Sequence, residues 1–163
     1  MAARYLGVDL GRKRIGLALG DREGSIVSPL KVLEALPGAK ENARAIVKVA
    51  QEYAVAGIVI GLPLNMDGTQ GPQAKLSKSL ADAIRELIES AAGHRDAPPG
   101  ALETSEPPRC EVYLHDERLT SHAADHRLAT RGLTQKKRRA RQDAVAAQIL
   151  LESFFKSHLP NEA

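Results

Sequence analysis

The chain has 163 residues, 43% of them apolar and 26% charged, which is the size and composition of one soluble domain. The three Tyr, two Phe and absent Trp argue against base recognition by aromatic stacking, and the single Cys excludes an internal disulfide. No apolar run approaches the ~18–20 residues of a membrane span, and the net charge of +3 is only mildly basic. We therefore expect a cytoplasmic protein that does not enter a membrane, with a single domain over residues 1–163.

The first part of the chain predicts three short strands joined by turns, at Tyr5–Leu10, Ile15–Leu19 and Ile26–Leu33. Apolar residues then recur at helical spacing, which predicts a helix over Ala39–Tyr53. The apolar, β-branched segment Ala56–Ile60 predicts a strand that is covered on both faces.

The remaining elements alternate between helix and strand. The sequence predicts a polar loop at Gly61–Pro72, a helix at Gln73–Ala92, a strand at Cys110–His115, a short helix at Ser121–Ala129 and a last helix at Gln142–His158. Gly93–Arg109, rich in proline and charge, predicts a flexible surface insertion. This order indicates an α/β fold with a mixed five-stranded sheet, an antiparallel meander of three strands followed by parallel strands, flanked by helices.

Three acidic positions occur where the pattern predicts an apolar residue. Asp9 ends the first predicted strand, Asp116 and Glu117 directly follow another, and Asp143 lies on the apolar face of the last predicted helix, in its first turn. Consecutive strand residues point to opposite faces, so we expect only one of Asp116 and Glu117 to join Asp9, and the sequence leaves that choice open. Each position also has an ordinary interpretation, as a turn former, a solvated strand end or a helix-start carboxylate. Their co-occurrence favours one shared site.

Clustered carboxylates repel one another unless a cation neutralises them. Hard oxygen ligands suit Mg²⁺ or Mn²⁺, and two such ions can hold the attacking and leaving oxygens of a phosphoryl transfer. Gly7, Gly11 and Gly16 leave the backbone near Asp9 bare, which we interpret as room for a bulky anionic ligand. The pattern therefore predicts phosphodiester hydrolysis, with the three acidic positions as metal ligands and catalytic residues.

Positive charge accompanies these acids. Arg14 follows Asp9, Arg118 follows Glu117, and five cations precede Asp143: Lys136, Lys137, Arg138, Arg139 and Arg141. Because the net charge is only +3, the positive charge is concentrated at the proposed site, where it would attract phosphates in a salt-dependent way. A solvated loop is the ordinary interpretation of such a run. Its position directly before an acidic candidate favours substrate binding.

Four segments, in order, resemble the YqgF family, also called RuvX or Holliday-junction-resolvase-like. They are Gly7–Gly11, Gly61–Thr69 with Gly71-Pro72, Asp116–Ser121 and Asp143–Leu151, and the resemblance covers residues 4–156. It implies a ribonuclease H-like fold and a cytoplasmic, metal-dependent nuclease that matures the 5′ end of pre-16S ribosomal RNA during ribosome biogenesis. The acidic residues carried over are Asp9, Glu117 or Asp116, and Asp143. Asn65 and Thr69, in the second segment, are candidate contacts to the substrate.

Two other functions stay open. The family's other proposed role is resolution of Holliday junctions, whose two-fold symmetry predicts a homodimer, whereas a single cut in ribosomal RNA requires only a monomer. A nucleic-acid-binding or ribosome-associated factor without turnover would keep the basic stretch and need no metal. In each case we expect a nucleic-acid partner, precursor rRNA or branched DNA, recognised by shape and backbone.

Overall fold

A mixed five-stranded sheet forms the centre of the structure, a computed structural model that describes residues 3–23, 26–93, 110–119 and 134–158. Its strands are β1 (Arg4–Leu10), β2 (Arg14–Asp21), β3 (Ile26–Glu34), β4 (Gly57–Leu62) and β5 (Glu111–Asp116). The order across the sheet is β3-β2-β1-β4-β5. The first three strands pair antiparallel, and β4 pairs in parallel with β1 and β5. The predicted meander followed by parallel strands is confirmed.

Helices cover the sheet on both faces. On one face, α1 (Ala39–Glu52) and α2 (Pro72–Gly93) pack over alternate side chains of β1, β2 and β4. On the other face, apolar residues of α3 (Gln135–His158), among them Phe154, pack against Tyr5 and Val59 of the sheet. Because both faces are covered, the central strands are apolar or glycine at nearly every position. In the described parts of the chain, no helix combines the length and apolarity needed to cross a bilayer.

Glycines bring α3 close to the sheet. A β-carbon at Gly16 would lie 1.9 Å from the backbone oxygen of Asp143, and one at Gly7 would lie 2.8 Å from a backbone oxygen one turn further along the helix. At Gly11 the same atom would lie 2.6 Å from the carbonyl oxygen of Arg14, across a tight turn. Protein backbone therefore fills the space beside all three glycines. Their interpretation as room for an anionic ligand is wrong.

The last helix is longer than predicted. It begins at Gln135 rather than Gln142, so the basic segment is helical. Lys, Arg, Gln and Ala are good helix formers, but a segment that is polar on every face carries no apolar periodicity to reveal it. Asp143 therefore lies inside the helix and not in its first turn, and its predicted position at the helix start is wrong.

The other described elements begin and end within two residues of their predicted bounds. The predicted helix Ser121–Ala129 lies outside the described residues. So does the predicted insertion Gly93–Arg109 beyond Gly93, the residue that ends α2.

The contact at Gly16 predicts that Gly16→Ala destabilises the fold, because β2 or α3 must move to admit the methyl group. Overpacking of this kind costs about 1–3 kcal/mol, occasionally more. Gly71→Ala is the control, since the nearest atom to a β-carbon there lies at 3.6 Å. Urea unfolding measures the difference. Equal stability of the two variants would show that α3 does not need a glycine beneath it.

Candidate active site

The carboxyl groups of Asp9 and Glu117 meet at one edge of the sheet. Asp9 lies near the end of β1, and Glu117 opens a short 3₁₀ turn, Glu117–Leu119, that follows β5. Strand β4 lies between β1 and β5, and because the three strands are parallel, their carboxyl ends lie side by side. The two side chains share a hydrogen bond. The sheet thus joins two acids that are far apart in the sequence.

Gly61 of β4 makes room for this pair. A β-carbon at Gly61 would lie 2.0 Å from Oε1 of Glu117, so any side chain there would displace the carboxylate. Sequence reasoning placed Gly61 in a motif without assigning it a role. Its position in the strand between the two acids supplies that role.

Burial and mutual repulsion favour protonation of the pair. Desolvation is the main cause that raises the pKa of Asp9; the hydrogen bond with Glu117 opposes it, and the charge of Asp143 adds to it. Burial, and then the negative charge of Asp9, raise the pKa of Glu117 to about 8. Two carboxyl groups in contact do not both ionise readily without a cation nearby. Both causes favour retention of one proton by the pair at neutral pH.

Asp116 takes no part in this pair. It follows Val112 and Leu114 on the opposite face of β5, and its Oδ2 accepts a hydrogen bond from Nη2 of Arg118 at 2.7 Å. This hydrogen bond is the main cause that lowers the pKa of Asp116. Of the two adjacent acids, the structure therefore places Glu117 beside Asp9. The guanidinium of Arg118, a residue predicted to bind substrate, is therefore paired with Asp116.

Asp143 lies near the pair but is bound by Arg14. Nε of Arg14 donates to Oδ2 of Asp143 at 2.7 Å, and the two side chains are 30% and 28% exposed. The charge of Asp143 still raises the pKa of Asp9, so the two acids are within electrostatic reach. Within the described ranges, no group of three or more His, Cys, Asp or Glu is arranged to hold a metal ion. The structure thus shows a pair of carboxyl groups with the third alongside.

The other predicted substrate contacts lie at the surface. The exposed cations on the first turns of α3 are Lys137, Arg138, Arg139 and Arg141. The side chain of Lys136 lies outside the described part of the structure.

Asn65 and Thr69 stabilise the loop between β4 and α2. Nδ2 of Asn65 donates to Oγ1 of Thr69 at 2.9 Å, and the Thr69 hydroxyl donates to Oδ1 of Asp67 at 2.6 Å. A turn closes at Gly68, whose φ of +86° suits glycine and whose N–H donates to the carbonyl oxygen of Asn65 at 2.8 Å. The side chain of Arg118 lies beside this turn, 3.6 Å from the position of a β-carbon at Gly68. The loop is therefore held next to the turn that carries Glu117.

Two polar residues that sequence reasoning missed support the edge of the sheet. Nε2 of Gln73, at the start of α2, donates to the carbonyl oxygen of Leu10 at 2.8 Å. His115 is buried in β5, with its Nε2 2.9 Å from Oγ of Ser153 in α3. These contacts tie the ends of β1 and β5 to the flanking helices. A single polar residue at a helix start or in a strand gives no sequence signal of such a contact.

The donor set fits a divalent cation. Asp9 and Glu117 supply oxygen ligands, which Mg²⁺ and Mn²⁺ prefer, and a cation would replace the proton that they share. Asp143 offers a further carboxylate within electrostatic reach. The pair is therefore the part of the chain best suited to hold a metal ion among the residues that the structure describes.

The raised pKa of Glu117 predicts how stability depends on pH without metal. Between its ordinary value of 4.5 and about 8, the folded protein holds a proton that the unfolded chain releases. Stability therefore falls as pH rises through this window. Thermal unfolding in EDTA measures the fall, and Glu117→Gln should flatten it, whereas Glu86→Gln, at an exposed position on α2, should not. Parallel curves for the two variants would contradict the shared proton.

Comparison with solved structures supports the ribonuclease H-like fold. A chain described as "T. thermophilus RuvC in complex with Holliday junction substrate" is 14% identical, with a TM-score of 0.54 over 97% of this chain and 96% of that chain. Another, "Thermus thermophilus RuvC structure", is 17% identical, with a TM-score of 0.50 over 93% of each chain. At these identities the likeness shows the fold alone, which agrees with the prediction.

Proteins of similar sequence align with nearly the whole chain. A protein from Anaeromyxobacter sp. (strain K), named "Putative pre-16S rRNA nuclease", is 38% identical over 96% of this chain and 99% of its own length. Proteins of the same name from Chloroflexus aurantiacus and Myxococcus xanthus are 35% and 32% identical, each over 96% of this chain and over 88% and 90% of their own lengths. The family model RuvX, described as Holliday junction resolvase, matches residues 3–157. The chain therefore belongs to the RuvX family.

Proposed function

We propose that this protein is a divalent-metal-dependent nuclease that hydrolyses phosphodiester bonds in the 5′-end maturation of pre-16S rRNA. The observation that carries the proposal is the pair formed by Asp9 and Glu117, two partly buried acids that share a hydrogen bond at the carboxyl end of the sheet. Holding such acids together is unfavourable, and functional sites are where proteins retain arrangements of this kind. The names of the relatives supply the substrate, pre-16S rRNA, and the family model supports the broader class, a nucleic acid.

Some residues of this chain would bind the metal, and others would bind the substrate. Asp9 and Glu117 would hold Mg²⁺ or Mn²⁺, with Asp143 as the further ligand, after the shared proton has left. When bound, the cations stabilise the negative charge that builds up on the phosphoryl oxygens. Two ions suit this reaction best, because one oxygen attacks while another leaves. Gly61 allows the Glu117 carboxylate to lie in this position, because glycine has no side chain that would occupy the same space.

The cations of the chain would hold the nucleic-acid backbone. Arg139 and its exposed neighbours on α3 lie on the helix that carries Asp143, so phosphates bound there lie near the acids. Arg14 and Arg118 face Asp143 and Asp116 in the structure and would exchange these partners for phosphate oxygens. Asn65 and Thr69 would contact the substrate from the adjoining loop. Such binding reads shape and backbone, in keeping with the scarcity of aromatic residues.

A second candidate substrate is four-way DNA. The description of the matching family model, Holliday junction resolvase, favours it. A resolvase cuts two symmetry-related strands and would be a homodimer, whereas a single cut in rRNA requires only a monomer. Purified protein should therefore be incubated with Mn²⁺ and either a pre-16S precursor or a four-way junction. Cleavage of the junction alone would replace the rRNA proposal. Cleavage of neither, with binding that survives EDTA, would indicate a binding factor without turnover.

Asp9→Asn should abolish cleavage of whichever substrate the wild type cuts. The variant removes a negatively charged ligand without changing the side-chain volume, and its melting temperature in EDTA should equal or exceed that of the wild type, because the repulsion between the acids is lost. Asp82→Asn, at an exposed position on α2, is the control and should retain full activity. Full activity of Asp9→Asn would disprove the proposed site.

Arg139→Gln should weaken binding to RNA and DNA alike, since phosphate contacts carry no sequence information. The slope of log K against log salt concentration should decrease by about 1 for each lost phosphate contact. Fluorescence anisotropy in EDTA, at several salt concentrations, measures this slope without cleavage. Arg44→Gln, exposed on α1 on the other face of the sheet, is the control. An equal change in the two variants would argue against the basic part of α3 as the binding surface.

A further inference from the structure

Arg14 contacts one of the acids of the proposed site and is also partly exposed at the protein surface. It is the first residue of β2, and its guanidinium binds Asp143 at 2.7 Å while its side chain remains 30% exposed. The same arginine lines a cavity of about 500 Å³. The other lining residues are Arg12, Lys13, residues 32–35 at the end of β3, and Ala140 of α3. Arg14 therefore contacts a carboxylate of the proposed site and also lines a cavity bordered by three cations and one acid, Glu34.

The backbone of Asp143 has little freedom to move. Its carbonyl oxygen lies where a β-carbon of Gly16 would be, and Gly16 is the register partner of Asp9. The helix is thus seated directly beside the strand that carries Asp9. A change in the partner of the Asp143 carboxylate would therefore be a movement of its side chain, because its backbone is held against β2.

A phosphate group in the cavity would compete with Asp143 for Arg14. Guanidinium groups bind phosphate through two parallel hydrogen bonds, at least as well as they bind a carboxylate. The present pair uses one hydrogen bond, from Nε, and is partly exposed, so it is a weak interaction to displace. Arg12 and Lys13, both exposed at the same cavity, add positive charge that would attract the anion.

We propose that Arg14 couples nucleic-acid binding to metal binding: a substrate phosphate takes Arg14 from Asp143, and the freed Asp143 carboxylate joins Asp9 and Glu117 around the divalent cation. The inference rests on the proposed function and adds to it a positioning residue with two alternative partners. Before substrate binds, Arg14 neutralises Asp143 and leaves a site of two carboxyl groups. Binding of the nucleic acid completes the donor set.

Because the coupling links two binding equilibria, nucleic acid and metal each raise the affinity of the protein for the other by the same factor. Removal of Asp143 should strengthen nucleic-acid binding without metal, and removal of Arg14 should strengthen metal binding without nucleic acid. The ion pair limits each effect, and for a partly exposed pair that limit is about three- to fivefold in affinity. Each half can be measured in the absence of the other ligand, so neither measurement depends on cleavage.

The first experiment measures RNA binding in EDTA by fluorescence anisotropy of a short labelled single-stranded RNA. Asp143→Asn should bind about threefold more tightly than the wild type. Glu34→Gln is the charge-matched control, because Glu34 is exposed, lines the same cavity and has its backbone opposite Arg14 in the sheet. The gain should be absent when Asp143→Asn is introduced into Arg14→Gln. A gain no larger than that of Glu34→Gln, or one that persists in the Arg14→Gln background, would overturn the coupling.

The second experiment measures Mn²⁺ binding without nucleic acid, by the electron paramagnetic resonance signal of free Mn²⁺. Arg14→Gln should bind Mn²⁺ about threefold more tightly than the wild type, and Arg12→Gln, which removes the same charge from the same cavity, should not. If both variants gain equally, the effect is long-range charge and the coupling is wrong. If Arg14→Gln leaves Mn²⁺ affinity unchanged while Asp9→Asn abolishes binding, the coupling is wrong and the metal site stands. If the wild type does not bind Mn²⁺, both proposals fail.

Discussion

The backbone contact between β2 and α3 determines the geometry of the site. Gly16 is the register partner of Asp9, and the carbonyl oxygen of Asp143 lies where its side chain would be. A residue without a side chain thus lets α3 approach β2 at the point where β2 pairs with Asp9 of β1. The third acid reaches Arg14 and remains within electrostatic reach of Asp9 because the helix lies this close. α3 is therefore a positioning element for the site as well as a cover for the sheet.

The acids are held against their own electrostatic preference. Burial and mutual repulsion raise the pKa of Glu117 to about 8, so without a metal the protonated form of the pair is favoured. A cation would replace that proton and relieve the repulsion. Such an arrangement costs the metal-free protein stability and would favour a metal-bound form, a balance that is common at functional sites. The neighbouring Asp116, by contrast, is paired with Arg118, and this hydrogen bond is the main cause that lowers its pKa.

Much of the fold could be predicted because apolar periodicity in the sequence indicates both the strands of the sheet and the helices that cover its two faces. The candidates Asp9, Glu117 and Asp143 were identified because a charge occurs where the pattern calls for an apolar residue. The choice between Asp116 and Glu117 could not be made, because β5 is covered on both faces and its alternation does not show which face carries the site. The pairing of Arg14 with Asp143 joins residues far apart in the chain, and only the tertiary structure reveals it. The helical start of α3 was missed because it has no apolar face.

That helical start has a consequence for the dynamics of the protein. Lys137 and Arg141 are four residues apart on α3, and Arg138 and Arg141 are three apart, so like charges are neighbours on the helix surface. Their repulsion weakens the start of the helix, where the Arg138 N–H donates to the carbonyl oxygen of Thr134 and the Lys137 N–H to the Thr134 hydroxyl. A polyanion laid along these side chains would remove the repulsion and lengthen the lifetime of the helical hydrogen bonds. If a nucleic acid binds there as proposed, this end of α3 would become more rigid, and its amide exchange would slow on binding.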